Sequence, residues 1–194
     1  MDLNNKEDLL KKKLNIYFND LNKKKLLIDI LSNTYNISLR IIDWFVTNYS
    51  KKNNIYYLLY QDEITGNVSF SGGQTNFYKQ FNTYHSYKAQ LKSYSKKRFD
   101  PFCRWERINI PFENDTQIQT TIGQLNFFEW CLKNKIMEYI EKYTQDIEND
   151  MNKRNSLSKP SIQKEKINKT RKKRQELSIS ATKSIKKENV EIVV

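Results

Sequence analysis

Residues 121 to 147 read TIGQLNFFEWCLKNKIMEYIEKYTQDI. Within them Leu125, Phe128, Leu132, Ile136, Tyr139, Tyr143 and Ile147 recur every three or four positions, the spacing that lines up side chains on one face of a helix. Thr121 followed three residues later by Gln124 has the pattern of a capping box, so the helical segment starts there. Asn134 is placed to divide it in two. A long stripe of large apolar groups needs a partner layer, and the rest of the chain is searched for one.

Upstream, Leu9, Leu10, Leu14, Tyr17 and Leu21, then Leu27, Ile28 and Leu31, predict two short helices interrupted near Asn19–Lys25. Ser38 is positioned as an N-cap, and Leu39, Ile42, Val46 and Tyr49 follow at helical spacing, with Ile41, Trp44 and Phe45 widening the apolar face. Turn-forming residues 48–54 end this helix. IYYLLY at 55–60, a break over Gln61–Asn67 containing Gly66, and Val68-Ser69-Phe70 together predict a β-hairpin, closed by Ser71-Gly72-Gly73. Helix resumes near Asn82 and runs to about Tyr94, and Trp105 to Pro111 reads as extended chain. The fold class is α+β, mainly helical, with a small antiparallel hairpin or sheet and no internal repeat.

Charge divides the chain more sharply than hydropathy does. Of 194 residues, 34 are Lys or Arg and 22 are Asp or Glu, a net of +12. Residues 1–150 hold 21 basic and 18 acidic side chains, whereas residues 151–194 hold 13 and 4. The first part is expected to be a compact domain. The second, without an aromatic residue, is expected to be a disordered basic tail, since few apolar groups and much like charge cannot offset the entropy of ordering. Transient helix over Ile162 to Leu177 and an apolar end, NVEIVV at 189–194, are its only structural signals.

Composition excludes several classes. No run of apolar residues is long enough to span a bilayer, and MDLNNKEDLLKKK lacks the apolar core of a secretory signal, so no membrane insertion is expected. Two cysteines, Cys103 and Cys131, exclude a disulfide framework and a Cys-based zinc site, and one histidine, His85, excludes most His-based metal sites. Ser71-Gly72-Gly73-Gln74 lacks the Gly-Lys-Ser/Thr ending of a phosphate-binding loop. Asp43, Asp100, Glu106 and Glu129 are the acids that a two-metal site could recruit, but nothing in their spacing makes them converge. A Cys103–His85 nucleophile pair has no third orienting group. No enzyme, cofactor or metal is expected.

The basic residues are the candidates that remain. In the tail, Lys169, Arg171, Lys172, Lys173 and Arg174, with Lys183, Lys186 and Lys187, can follow a phosphate chain and release its counterions. The same run fits a nuclear-import peptide, or simply a solvated tail. In YHSYKAQLKSYSKKR, residues 84–98, Lys88, Lys92 and Lys96 form a stripe at i, i+4 and i+8, continued by Lys97 and Arg98, beside Tyr84, Tyr87, Leu91 and Tyr94. Rings beside ammonium groups suit nucleic acid, while tyrosines on a core edge and lysines in water explain the pattern equally. In FDPFCRWER, residues 99–107, Arg104 beside Trp105 could grip a phosphate, Cys103 could be a reactive thiol, or the whole could be a turn with Asp100 capping or pairing an arginine.

Lys, Asn and Ile occupy 27, 22 and 20 positions, the composition of an AT-rich genome. The segments SLRIIDWFVTNYSKK at 38–52, YKAQLKSYSKKRFDPFCR at 87–104 and TTIGQLNFF at 120–128 resemble a family of nucleocytoplasmic large DNA virus proteins that includes the iridovirus immediate-early proteins. The resemblance covers most of 38–143 and brings no catalytic residues. It implies a viral source and a location in the host cytoplasm, the nucleus or the virion. The expected function is non-specific binding of DNA or RNA in genome organisation, packaging or expression. The alternative is an adaptor for a viral or host protein, its tail serving import or solubility.

Overall fold

In the computed structural model, which describes residues 3–63, 65–70, 76–111 and 117–157, the chain opens with helices α1 (Leu3–Tyr17) and α2 (Leu21–Leu31). The interruption is shorter than expected because Asp20 caps α2, its carboxylate accepting from the backbone N–H of Asn22 and Lys23 at 2.9 and 3.2 Å. Helix α3 (Leu39–Trp44) starts at Ser38, whose hydroxyl accepts from the Ile41 N–H at 3.4 Å. The chain then loosens into a π-helical stretch, Phe45–Tyr49, and ends in α4 (Ser50–Lys52). The hydroxyls of Thr47 and Ser50 donate back to the carbonyls of Asp43 and Val46, at 2.6 and 3.0 Å, and so compete with the backbone ladder at this point.

A three-stranded antiparallel sheet follows, built from β1 (Tyr56–Gln61), β2 (Val68–Ser69) and β3 (Asn76–Asn82) in the order β2-β1-β3. The expected hairpin is β1 with β2; β3 was not foreseen. Tyr57 faces Phe81 across the register, and these two with Leu59 point into the core, while Tyr56 and Leu58, at the alternate positions, are exposed on the outer face. The expected Ser71–Gly73 closure lies outside the described residues.

Helix α5 (Thr83–Tyr94) begins where the Asn82 side chain accepts from the His85 N–H at 2.9 Å. It ends at Tyr94, as expected. Ser95 takes φ +62°, which turns the chain out of the helix, so Lys96, Lys97 and Arg98 leave the stripe that Lys88 and Lys92 begin. A second sheet pairs β4 (Arg107–Pro111) with β5 (Gln117–Thr121), a strand too polar to be read from its sequence, QIQTT.

The opening stretch of the sequence folds as α6 (Ile122–Lys133), α7 (Ile136–Lys142) and α8 (Thr144–Leu157). Helix α6 is buried on every side from Ile122 through Cys131 and is the centre of the core. Thr121 caps it, accepting from the Gln124 N–H at 3.1 Å. The reciprocal half of the capping box is replaced: the Gln124 side chain donates instead to the Pro101 carbonyl at 2.9 Å and accepts from Thr120. Asn134 and Lys135, at φ +57°, make the expected break, and Tyr143 adds another. Helix α8 runs past Asp150 to Leu157, with Met151 buried, because Ile147 and Met151 form one more turn of the same apolar stripe.

Candidate nucleic-acid interface

The basic positions named above fall into three groups. Lys169, Arg171, Lys172, Lys173, Arg174, Lys183, Lys186 and Lys187, with the transient helix and NVEIVV, lie outside the described residues. Lys88 and Lys92 are exposed one turn apart on α5, whose opposite side buries Thr83 and Tyr87 and holds Trp130 through its indole N–H, donated to the Ser86 hydroxyl at 3.0 Å. Tyr84, one turn before Lys88, lies beneath the Lys51 ammonium at 5.6 Å, which adds a cation from α4 that the sequence pattern had not suggested. Lys96 and Lys97 are exposed just beyond α5. Among the described residues, none of Lys51, Lys88, Lys92, Lys96 and Lys97 has a carboxylate within ion-pair distance.

The two arginines are engaged internally. Arg98 donates to Glu7 on α1 at 2.9 Å, and its carbonyl accepts from the Asn126 side chain at 2.9 Å. Arg104 holds the buried Asp100 through Nε and a terminal nitrogen, both at 2.8 Å, and stacks over Phe102 at 4.9 Å. Asp100 also accepts from the Phe102 N–H at 3.0 Å, so FDPFCRWER forms a turn pinned by aromatics. Arg98 and Arg104 serve the fold, with less of their charge free for an outside anion than the lysines have.

The groups that could have done chemistry are not assembled. Cys103 is half-buried, and burial pushes its thiol up while Arg107 draws it down only in part, the opposite of activation. Burial raises the Cys131 thiol well above its usual value. His85 is exposed, and its ring makes no hydrogen bond to Cys103 among the described residues. Asp43 sits near Asp100 and Arg104; burial, then the negative charge of Asp100, pushes its carboxyl up to about 6, with Arg104 and Lys96 pulling the other way. Glu129 is elsewhere, buried on α6 between Lys13 and Lys133, while Glu106 is exposed. Among the described residues no group of three or more His, Cys, Asp or Glu could hold a metal ion.

The sequence missed a different convergence. Lys13, Lys79 and Lys133, far apart in the chain, line one cleft with Glu129 and Trp130.

Among the described residues, no helix is long and apolar enough to cross a membrane. No solved structure matches this chain. An uncharacterised protein of Acanthamoeba polyphaga mimivirus is 36% identical over 167 residues, covering 82% of this chain and 60% of its relative, so the chain spans less than two thirds of that protein's length. Kinship with a large DNA virus, read above from three segments, thus holds. Residues 3–193 match the family of unknown function DUF7197, and the chain belongs to that family.

Proposed function

We propose that this is a non-enzymatic, nucleic-acid-associated protein of a large DNA virus, binding DNA or RNA without sequence preference in genome organisation, packaging or expression. One observation carries the reading. Among the described residues Lys51, Lys88, Lys92, Lys96 and Lys97, on α4, on α5 and just beyond it, have no carboxylate within ion-pair distance, and residues 158–194 add eleven basic against four acidic side chains. Unpaired ammonium groups lose little on meeting phosphates and gain from the release of condensed counterions. Host cytoplasm, nucleus or virion, and kinship with the iridovirus immediate-early proteins, belong to the same proposal.

The test is a salt titration of binding to duplex DNA and to single-stranded RNA. The full chain is compared with a chain ending at Leu157, which leaves α8 whole. Log K should fall with log[salt] at about 0.9 per phosphate neutralised on duplex DNA, and the shortened chain should show a shallower slope. Equal affinity and equal slope for the two would remove the tail from the proposal, and no binding by either would end it.

The outer sheet face favours a second reading, a virion or host-interaction adaptor. Tyr56, Leu58 and Phe77 are 59%, 42% and 62% exposed there, more apolar surface than a solvated sheet needs. Nuclease treatment separates the readings: partners that stay bound after digestion point to protein docking through these rings.

A further inference from the structure

A cleft of about 450 Å³ opens between α1, β3, α5 and α6. Three lysines reach it from three elements. Lys133 Nζ and Lys13 Nζ share the two oxygens of Glu129, at 2.6 and 3.1 Å, and that carboxylate is almost wholly buried. Lys79 has no carboxylate within ion-pair distance among the described residues; its ammonium donates to the side-chain oxygen of Asn134 at 2.9 Å. Asn134 is fixed for that task, since its amide nitrogen donates to the Trp130 carbonyl at 2.8 Å and its own carbonyl accepts from the Tyr57 hydroxyl at 2.6 Å. Rings complete the lining: Phe81 and Trp130 are buried at its base, while Tyr78 is exposed at its edge with the Lys79 ammonium 5.2 Å from its ring centre.

The charge in this cleft does not balance. Three ammonium groups face one carboxylate, and that carboxylate is already divided between two of them. Holding Lys79 half-buried against a neutral amide is unfavourable, and burial accordingly lowers its pKa. A cation fixed in a cleft with no carboxylate beside it among the described residues is suited to receive an anion from outside. The volume is that of a small-molecule site and too small for a folded partner or a length of duplex.

We propose that this cleft binds a nucleoside phosphate, whose phosphates meet Lys79, Lys13 and Lys133 and whose base lies against Tyr78. Free nucleotide and the 5′-phosphorylated end of a strand share this chemistry. Neither Lys88 nor Lys92 lines this cleft, and the assignment does not rest on residues 158–194, so it stands or falls independently of the function proposed above.

Calorimetric titration of the full chain with ATP tests it, with inorganic pyrophosphate, adenosine and a 5′-phosphorylated trinucleotide as competitors. One equivalent of ATP should bind, and pyrophosphate should displace it better than adenosine does. Displacement by the trinucleotide assigns the natural ligand to a strand end; failure to displace assigns it to free nucleotide. Lys79→Gln keeps a polar group beside Asn134 and should weaken ATP by about tenfold or more, the worth of one charge-assisted hydrogen bond. Lys13→Gln, at a side chain half in solvent, should weaken it too and serves if the first variant does not fold. The double variant Lys88→Gln, Lys92→Gln and the chain ending at Leu157 should bind ATP unchanged. No binding at about 1 mM ATP, weaker than any useful site, would overturn the assignment. So would folded Lys79→Gln and Lys13→Gln proteins with unaltered affinity, or an equal loss in the α5 double variant, which would mean diffuse attraction to surface charge.

Discussion

Arg104 grips Asp100 in a two-point clasp, each hydrogen bond 2.8 Å long, and only the arginine end of the pair is open to solvent. The asymmetry sets what each substitution does. Arg104→Ala strands a buried carboxylate that among the described residues keeps the Phe102 N–H, and unfolding in urea should show a loss of about 2–3 kcal/mol, below the full figure for a buried pair because Arg104 is partly hydrated. Nucleic-acid affinity of the folded variant should change less than that of Lys88→Gln, Lys92→Gln, since Arg104 spends its fork on Asp100.

Gly123 allows α6 to begin against the chain that follows α5. A Cβ placed there would lie 2.9 Å from the Lys97 carbonyl oxygen, and backbone cannot step aside as a side-chain tip can. Gly123→Ala should cost about 1–3 kcal/mol, the usual penalty for overpacking. The Asp100 N–H to Gly123 carbonyl bond, 3.2 Å, should exchange faster with deuterium in the variant.

Asp43 makes stability depend on pH in a direction unusual for a carboxylate. Its folded pKa, about 6, is above the ordinary value of 3.8. Between those two values the folded state binds more protons than the unfolded chain, so this group's contribution falls as pH rises and is lowest above pH 6. Asp43→Asn should therefore gain about 1–2 kcal/mol over the natural protein at pH 8 and nothing at pH 3.5, a gain discounted from the full shift for partial hydration. Melting curves at the two pH values measure it.

Asp150 ties α8 to the helix before the sheet. One of its oxygens accepts from the Trp44 indole N–H at 3.1 Å and the other from Lys52, and Met151 is buried one residue further on. A chain ending at residue 150 loses Met151 and the last turns of α8, so it should be less stable than one ending at 157 by about 2–3 kcal/mol, the worth of one buried Met side chain with its packing. Denaturant midpoints of the two truncations decide it.

The helices were legible because their signals are local. Ser38, Asn82 and Thr121 are caps whose side chains bond within three residues, and the stripe from Leu125 to Ile147 is periodicity written into adjacent turns. β1 was equally plain from its three tyrosines. β3 and β5 were not, since NFYKQFN and QIQTT become strands only by pairing with β1 and β4, and the partner supplies what the segment's own composition lacks. The end of α5 near Tyr94 was legible, but a stripe of lysines continued to Lys96 takes no account of Ser95, whose positive φ turns the chain away.

Charge divides in the same way. How many cations the chain carries, their crowding toward its C-terminus and its large-DNA-virus kinship follow from the residues alone, because they are sums and words in one dimension. Which cations are spent and which are free needed the tertiary structure. Arg98 finds Glu7, Arg104 finds Asp100, and Lys13 and Lys133 divide Glu129, while Lys79 meets an amide and two aromatic rings. Coulomb and hydrogen-bond energies act over a few ångströms in space, and folding alone decides which residues come that close.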